Sequence, residues 1–271
     1  MANDGDVEPY SAQKASKRPI WTGTITIGLV NIPVRVLPMI FDKEVTFRFL
    51  HKEDGQPLRY QRICTKDEKV VPWEDIVKGY EVSKGEFVVL GKEELAAARP
   101  ESDRRIRIDK FVDYLSIEPI YFERSYLLTP DKSGDAYRLL YLALEKMGKA
   151  AAGRVTLRTK EYPVLIHVYK GALVMTTLRY ADEVRDPSAF KELEGLREPS
   201  KGELDIAVRI VKDLTGDFDI REYRDGYRER VGALIAKKMK GERIREEKPV
   251  REEAKELMAA LQETLEQLRK K

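Results

Sequence analysis

The stretch from Val164 to Leu178, VLIHVYKGALVMTTL, limits the fold of this chain more than any other. Both of its arms are strongly β-forming, and Lys170-Gly171 between them suits a two-residue hairpin turn. Strand patterning recurs along the first two thirds of the chain. Ile25, Ile27 and Leu29 alternate with Thr24, Thr26 and Gly28; Phe87 to Leu90, Arg104 to Ile108, Tyr121 to Leu128 and Arg154 to Thr159 read the same way. Pro33 and Pro38 then limit the second strand to an edge or an interrupted path. Val70 to Tyr80 reads as a short helical turn closed by Gly79, and Lys92 to Arg99 as a short helix stopped by Pro100. One longer helix interrupts the strands: Asp135 is a plausible cap, Leu139, Leu140, Ala143, Leu144 and Met147 follow at helical spacing, and Gly148 stands near its end. Many strands around one internal helix predict a closed or nearly closed barrel, mainly β with α.

Val45 to Thr65, VTFRFLHKEDGQPLRYQRICT, reads as a ribbon of two extended arms joined by a polar turn containing Asp54-Gly55 and Pro57. The return arm, Leu58 to Cys64, carries Arg59 and Arg62 with Tyr60 between them. Six residues rise roughly 20 Å, enough to follow a groove of a nucleic-acid duplex. A surface hairpin whose charges keep an edge soluble has the same pattern. Strand alternation also sends Arg59 and Arg62 to opposite faces, so both face one ligand only if the ribbon twists or bulges.

Bulk charge does not decide between these readings. Fifty Lys and Arg stand against 47 Asp and Glu, a net +3, so a polyanion site has to come from local clustering. Cys64 is the only cysteine, which excludes an intramolecular disulfide and a multi-thiolate metal site and fits a reducing compartment. The first 18 residues contain no apolar run and read as a disordered tail rather than a signal peptide, and no later stretch approaches the roughly 20 apolar residues of a membrane span. A cytoplasmic protein with no membrane partner is expected.

Beyond Arg185 the chain turns helical. Ser200 with Glu203 forms a capping box ahead of Leu204, Ala207, Val208, Val211 and Leu214; Asp219 with Glu222 forms a second, followed by a stripe of Ile220, Tyr223, Tyr227, Val231, Leu234 and Ile235. After a charged linker, Pro249 opens a last helix striped with Ala254, Leu257, Met258, Leu261, Leu265 and Leu268. Such a helix either packs back or binds a partner, and the linker's near lack of apolar residues favours a partner. The divisions are a tail (1–18), a barrel and bridge domain (19–199), a helical arm (200–241), and a linker with a partner-binding helix (242–271).

Catalytic chemistry finds little support. His51 and His167 are the only histidines, and His167 lies within an apolar strand. No nucleophile elbow, phosphate loop or dinucleotide fingerprint occurs, and the adjacent carboxylates Asp182 and Glu183 point to opposite faces on a strand. No enzyme activity and no cofactor are expected.

The run Ile20 to Val34, IWTGTITIGLVNIPV, resembles the start of the prokaryotic Ku family, DNA-end-binding proteins of non-homologous end joining. Leu50 to Gly55, Arg59 to Cys64, Ile76 to Glu81, Phe122 to Tyr126 and Tyr180 to Arg185 match in order, so the resemblance spans about Pro19 to Gly241. It implies a Ku-type β-barrel core, bridge-forming extended arms and a helical C-terminal arm that dimerises. Two barrels and two bridges then form a ring that threads onto double-stranded DNA ends. The last helix, within residues 249–271, resembles the tail that recruits a dedicated ATP-dependent DNA ligase. Gln61 stands where the family often has lysine, and no second cysteine follows Cys64, so no metal is expected. The candidate DNA contacts are Arg48, His51, Lys52, Arg59, Tyr60, Arg62 and Lys66, with Arg105, Arg107, Arg154 and Arg158 in second rank. A β-barrel protein-interaction module without a nucleic-acid role is the alternative.

Overall fold

A computed structural model describes residues 18–41, 43–98, 104–132, 134–242 and 257–269. The expected tail up to residue 17, most of the linker, and Pro249 and Ala254 of the last helix lie outside the described residues. The chain divides after Val184 into two compact units.

The first unit is built on a closed barrel. Its strands are β1 (Trp21–Ile27), β2 (Val30–Pro38), β5 (Arg105–Asp113), β6 (Phe122–Pro130), β7 (Lys149–Leu157), β8 (Lys160–Tyr169) and β9 (Ala172–Leu178), in the spatial order β1-β2-β6-β9-β8-β7-β5. Every pairing is antiparallel except the closure, where β1 runs parallel to β5 and Ile25 sits opposite Ile106. Alternate residues point inward. Ile25, Val34, Val36, Ile106, Leu128, Val155, Val164, Ile166, Leu173 and Met175 are almost wholly buried in one cluster. Burying side chains of this size contributes about 1.5–3 kcal/mol each, and seven strands supply enough of them to fill a small barrel without a channel.

Helix α2 (Asp135–Met147) adds Leu140, Tyr141 and Leu144 to that cluster while Leu139 and Met147 stay exposed. One face in the core and one in solvent place α2 against the barrel interior rather than threaded through it. Its N-cap is Gly134, and Asp135 is the first helical residue, its charge favourable in the first turn. Tyr137 ties the helix to the wall: its hydroxyl donates to the Leu128 carbonyl and accepts from the Leu173 amide, both at 2.9 Å. Burial raises its pKa.

Two glycines let the sheet close. A Cβ on Gly23 would lie 2.2 Å from the Arg104 carbonyl oxygen, and one on Gly153 would lie 1.9 Å from that of Arg107. Both neighbours are backbone, so β5 is held between β1 and β7 at a spacing only glycine permits.

Several expectations are corrected. Leu29 does not share a face with Ile25 and Ile27; Gly28 takes φ +57° and ends β1, leaving Leu29 98% exposed at the hairpin tip. Pro33 does not make β2 an edge. Its carbonyl accepts from the Asp131 amide just past the end of β6, so the missing N–H on that same side has no ladder partner to lose. Gly79 closes no helix: a 3₁₀ turn occupies Trp73–Asp75, and Gly79 lies within β3 (Lys78–Ser83), paired with β4 (Glu86–Leu90). Helix α1 (Lys92–Ala97) follows β4. His167 is satisfied, its Nε2 3.3 Å from the Thr176 hydroxyl and its ring 4.6 Å from that of Tyr114; burial lowers its pKa.

At the barrel's end, Lys160 donates to Glu183 at 2.8 Å, with the rings of Tyr162 and Tyr180 about its ammonium. Glu183 sits in a 3₁₀ turn, not on a strand, and is held as a structural ion pair.

The second unit carries α3 (Lys201–Leu214), α4 (Gly226–Met239) and α5 (Leu257–Arg269). The capping box at α3 forms as expected: the Ser200 hydroxyl accepts from the Glu203 amide at 3.3 Å, and the Glu203 carboxylate accepts from the Ser200 amide at 2.6 Å. Arg197 reinforces it at 2.8 Å, and these bonds hold the Glu203 carboxyl down to about 2. Asp219 does not start α4. It caps only the 3₁₀ turn Ile220–Glu222, and α4 begins at Gly226 behind Asp225, whose carboxylate accepts from the Arg228 amide. Ile220 and Tyr223 therefore precede the helix.

Candidate nucleic-acid interface

Between β2 and β5 the chain leaves the barrel for residues 39–104. None of the described residues in this excursion is buried, and Phe47, Phe49, Tyr60 and Trp73 are 65–83% exposed. The segment has no core of its own, so its shape comes from turns and main-chain bonds.

Those bonds make three rungs rather than the expected two. The first turn is His51 to Gln56: the His51 amide donates to the Gln56 carbonyl and the Gly55 amide to the His51 carbonyl, both at 2.8 Å. The second is Cys64 to Lys69: the Cys64 amide donates to the Lys69 carbonyl at 2.9 Å and the Glu68 amide to the Cys64 carbonyl at 3.0 Å. They are one turn built twice. Gly55 and Glu68 hold the same position with φ of 69° and 57°. Asp54 and Asp67 each accept from the main-chain amide two residues on, at 3.0 and 3.4 Å, and each engages the turn's first side chain, His51 or Cys64. The Cys64 thiol and the Lys69 contacts hold the Asp67 carboxyl below its usual range.

The expected arm Leu58 to Cys64 is therefore the middle rung. It is extended but pairs only through isolated bridges, Leu50 with Pro57 and Ile63 with Val70. The bond from the Leu58 amide to the Phe49 carbonyl at 3.1 Å belongs to the same register as the first bridge; Arg48 and Arg59 are the next residues along the two arms. Arg48 and Arg59 are exposed and have no ion pair or ring contact among the described residues.

The other candidates separate by environment. Lys52 and Lys66 stand on the two turns, at opposite ends of the middle rung and exposed. His51 is engaged with Asp54 at 3.0 Å and serves the turn. Tyr60, 83% exposed, offers a ring face one residue from Arg59. Arg62 is stacked on Trp73, its guanidinium carbon 4.2 Å from the ring centroid. The ribbon thus leaves Arg48, Lys52, Arg59, Tyr60 and Lys66 exposed along its first two rungs and their turns, and engages Arg62 with Trp73. Arg154 is paired with Asp109 at 3.2 Å, whereas Arg158 is exposed at the β7–β8 turn with φ 59°.

Sequence reasoning missed the second turn and the Trp73 platform. The spacing of His51 to Asp54, repeated as Cys64 to Asp67, is the signal that marks the turn. Between Lys43 and Val71 seven Lys and Arg stand against five Asp and Glu, so the ribbon carries no strong general field and any polyanion contact would rest on individually placed cations. Among the described residues no cluster of His, Cys, Asp or Glu is placed to hold a metal, and no helix is long and apolar enough to cross a membrane.

The family model described as the Ku70/Ku80 beta-barrel domain matches residues 26–206. A protein of Anaeromyxobacter sp. strain K named non-homologous end joining protein Ku is 43% identical over 250 residues, 92% of this chain and 83% of that protein. Proteins of the same name are 35% identical in Bacillus subtilis strain 168, over 93% of this chain and 82% of the relative, and 38% identical in Archaeoglobus fulgidus, over 92% and 98%.

Proposed function

The chain belongs to the Ku family, and from that premise we propose that it binds double-stranded DNA ends without sequence specificity in non-homologous end joining, as a ring-shaped homodimer that also recruits an ATP-dependent DNA ligase. The observation that carries the DNA-binding part is a pair of exposed guanidiniums, Arg48 and Arg59, on the two arms beside one turn, neither in an ion pair among the described residues. Unpaired guanidiniums on an arm without a core can take phosphate oxygens, contacts that position a protein on a duplex without reading its sequence. Tyr60, Lys52 and Lys66 extend the contact along the rung, through sugar and phosphate rather than base edges. A bidentate base reader would serve poorly in a protein that accepts any broken end.

The homodimer is supported by the second unit. Leu204, Val208, Val211 and Leu214 form one exposed face of α3, and Tyr227, Leu234 and Met239 are exposed on α4. Helices with that much uncovered apolar surface need a partner, and a second copy of the arm supplies a self-complementary one. The ligase is assigned to residues 249–271 on the amphipathic character of α5 and the family resemblance.

Binding to linear DNA and to covalently closed circular DNA of identical sequence tests the threading mode. Linear DNA is bound and circular DNA is not. Equal affinity for both at moderate salt overturns the ring.

A further inference from the structure

Helix α5 does not stand free: it lies against α3 within the second unit. The faces involved are legible from burial. On α5 the partly buried residues include Met258, Leu261 and Leu265, a stripe at helical spacing, while Gln262, Glu263, Glu266 and Gln267 are exposed. On α3 Ile206, Ala207 and Ile210 are partly buried, whereas Leu204, Val208 and Val211 face solvent on a neighbouring face. A 13-residue helix is marginal in water by itself, so packing is what keeps α5 helical.

We infer that α3 carries a dedicated docking face for the chain's own C-terminal helix, and that α5 reaches any partner only by leaving it. This rests on the reading of α5 as the ligase-recruiting element. Its described apolar stripe is single and is occupied by α3; what it shows to solvent is polar apart from the small Ala259 and Leu257, 56% exposed at its first turn. A partner that recognises an amphipathic helix through its apolar face therefore competes with Ile206 and Ile210 for the same three side chains. The docked state lowers the apparent affinity for that partner by the fraction of chains in which α5 is released. The face of α3 proposed for a second copy is a different one, so dimerisation and docking of α5 are compatible. The contact stores the recruiting helix on the arm and exchanges it for the partner.

Hydrogen exchange on the full-length chain with Ile206→Asp and Ile210→Asp together tests this, with DNA-end binding as the control for an intact protein. In the wild type, α5 amides exchange at least about tenfold more slowly than in the double variant, because helix formation depends on docking. The cognate ATP-dependent ligase then binds the variant several-fold more tightly, since the competing site is gone. If α3 amides show that the double variant melts α3 itself, Ile206→Ala with Ile210→Ala weakens the docking without placing charge on α3 and leaves the apolar stripe of α5 intact. Unprotected α5 amides in the wild type overturn the docking. Protection lost without any gain in ligase affinity overturns the competition. Ligase binding to neither protein, with the exchange result intact, refutes the recruitment reading and leaves the docking face established.

Discussion

Replacing Arg48 and Arg59 together with alanine removes two unpaired cations of the ribbon, and the consequence is best read as a salt slope. Each phosphate neutralised contributes about 0.9 to the slope of log K against log salt. Neither residue has an ion-pair partner to lose among the described residues, so the double change subtracts two contacts per protomer, a slope change of about 1.8, or about 3.6 for a homodimer. Raising salt from about 50 to about 200 mM then weakens the wild-type dimer about 150-fold more than the variant. Fluorescence anisotropy with a short blunt duplex across that range measures it. Arg62→Ala is the internal control: its guanidinium is committed to Trp73, so the slope stays at the wild-type value. An unchanged slope in the Arg48 and Arg59 variant, or an equal drop in Arg62→Ala, would falsify the assignment of this ribbon to the DNA.

Tyr137→Phe strands the Leu173 amide and weakens the hold on the Leu128 carbonyl, and should cost about 2 kcal/mol, seen as a lower Tm with unchanged DNA binding. Gly153→Ala drives a methyl into the Arg107 carbonyl, which the closed sheet cannot move aside; a loss of about 3 kcal/mol or failure to fold is expected in denaturant titration. Glu203, held at about 2, stabilises the start of α3 fully above its ordinary value of 4.5, and this support is lost as pH falls from there toward 2. Hydrogen exchange of the first α3 turn reports that loss, and Glu203→Ala should abolish the pH dependence. Leu204→Asp with Val208→Asp should yield monomers in sedimentation velocity while the barrel stays folded.

The barrel was legible because each of its strands signals itself. Core-cluster residues at period two, Ile32, Val34 and Val36 or Val164, Ile166 and Val168, are a local pattern with one outcome, although Leu165 on the other face of its strand is wholly buried as well. The Ser200–Glu203 cap and the Lys170-Gly171 turn are equally local. The misreadings came where a residue has two uses and its neighbours choose. Glycine ends helices, yet Gly79 was needed inside β3, where a side chain would press on the Phe87 Cβ 3.3 Å away. Aspartate caps helices, yet Asp219 was taken by a 3₁₀ turn. The second ribbon turn lacks glycine altogether, and Glu68 adopts its left-handed φ because Asp67 and the main-chain bonds close the loop around it.

The candidate site shows the same division more sharply. Arg48 and Arg59 stand out in sequence as cations on an extended ribbon, but nothing in their spacing says that they stay without an ion pair, since that depends on which acids the turns hold; Asp54 is taken by His51 and the Gln56 amide. Arg62 is as basic as Arg59 and three residues away; alternation already sets the two on opposite faces, and Trp73, eleven residues further on, engages its guanidinium. On the proposed role, DNA binding is carried by the cations left without partners. A chain with nearly equal numbers of acids and bases can bind a polyanion because folding pairs off or diverts some cations, as it does Arg154 and Arg62, and leaves a few unanswered.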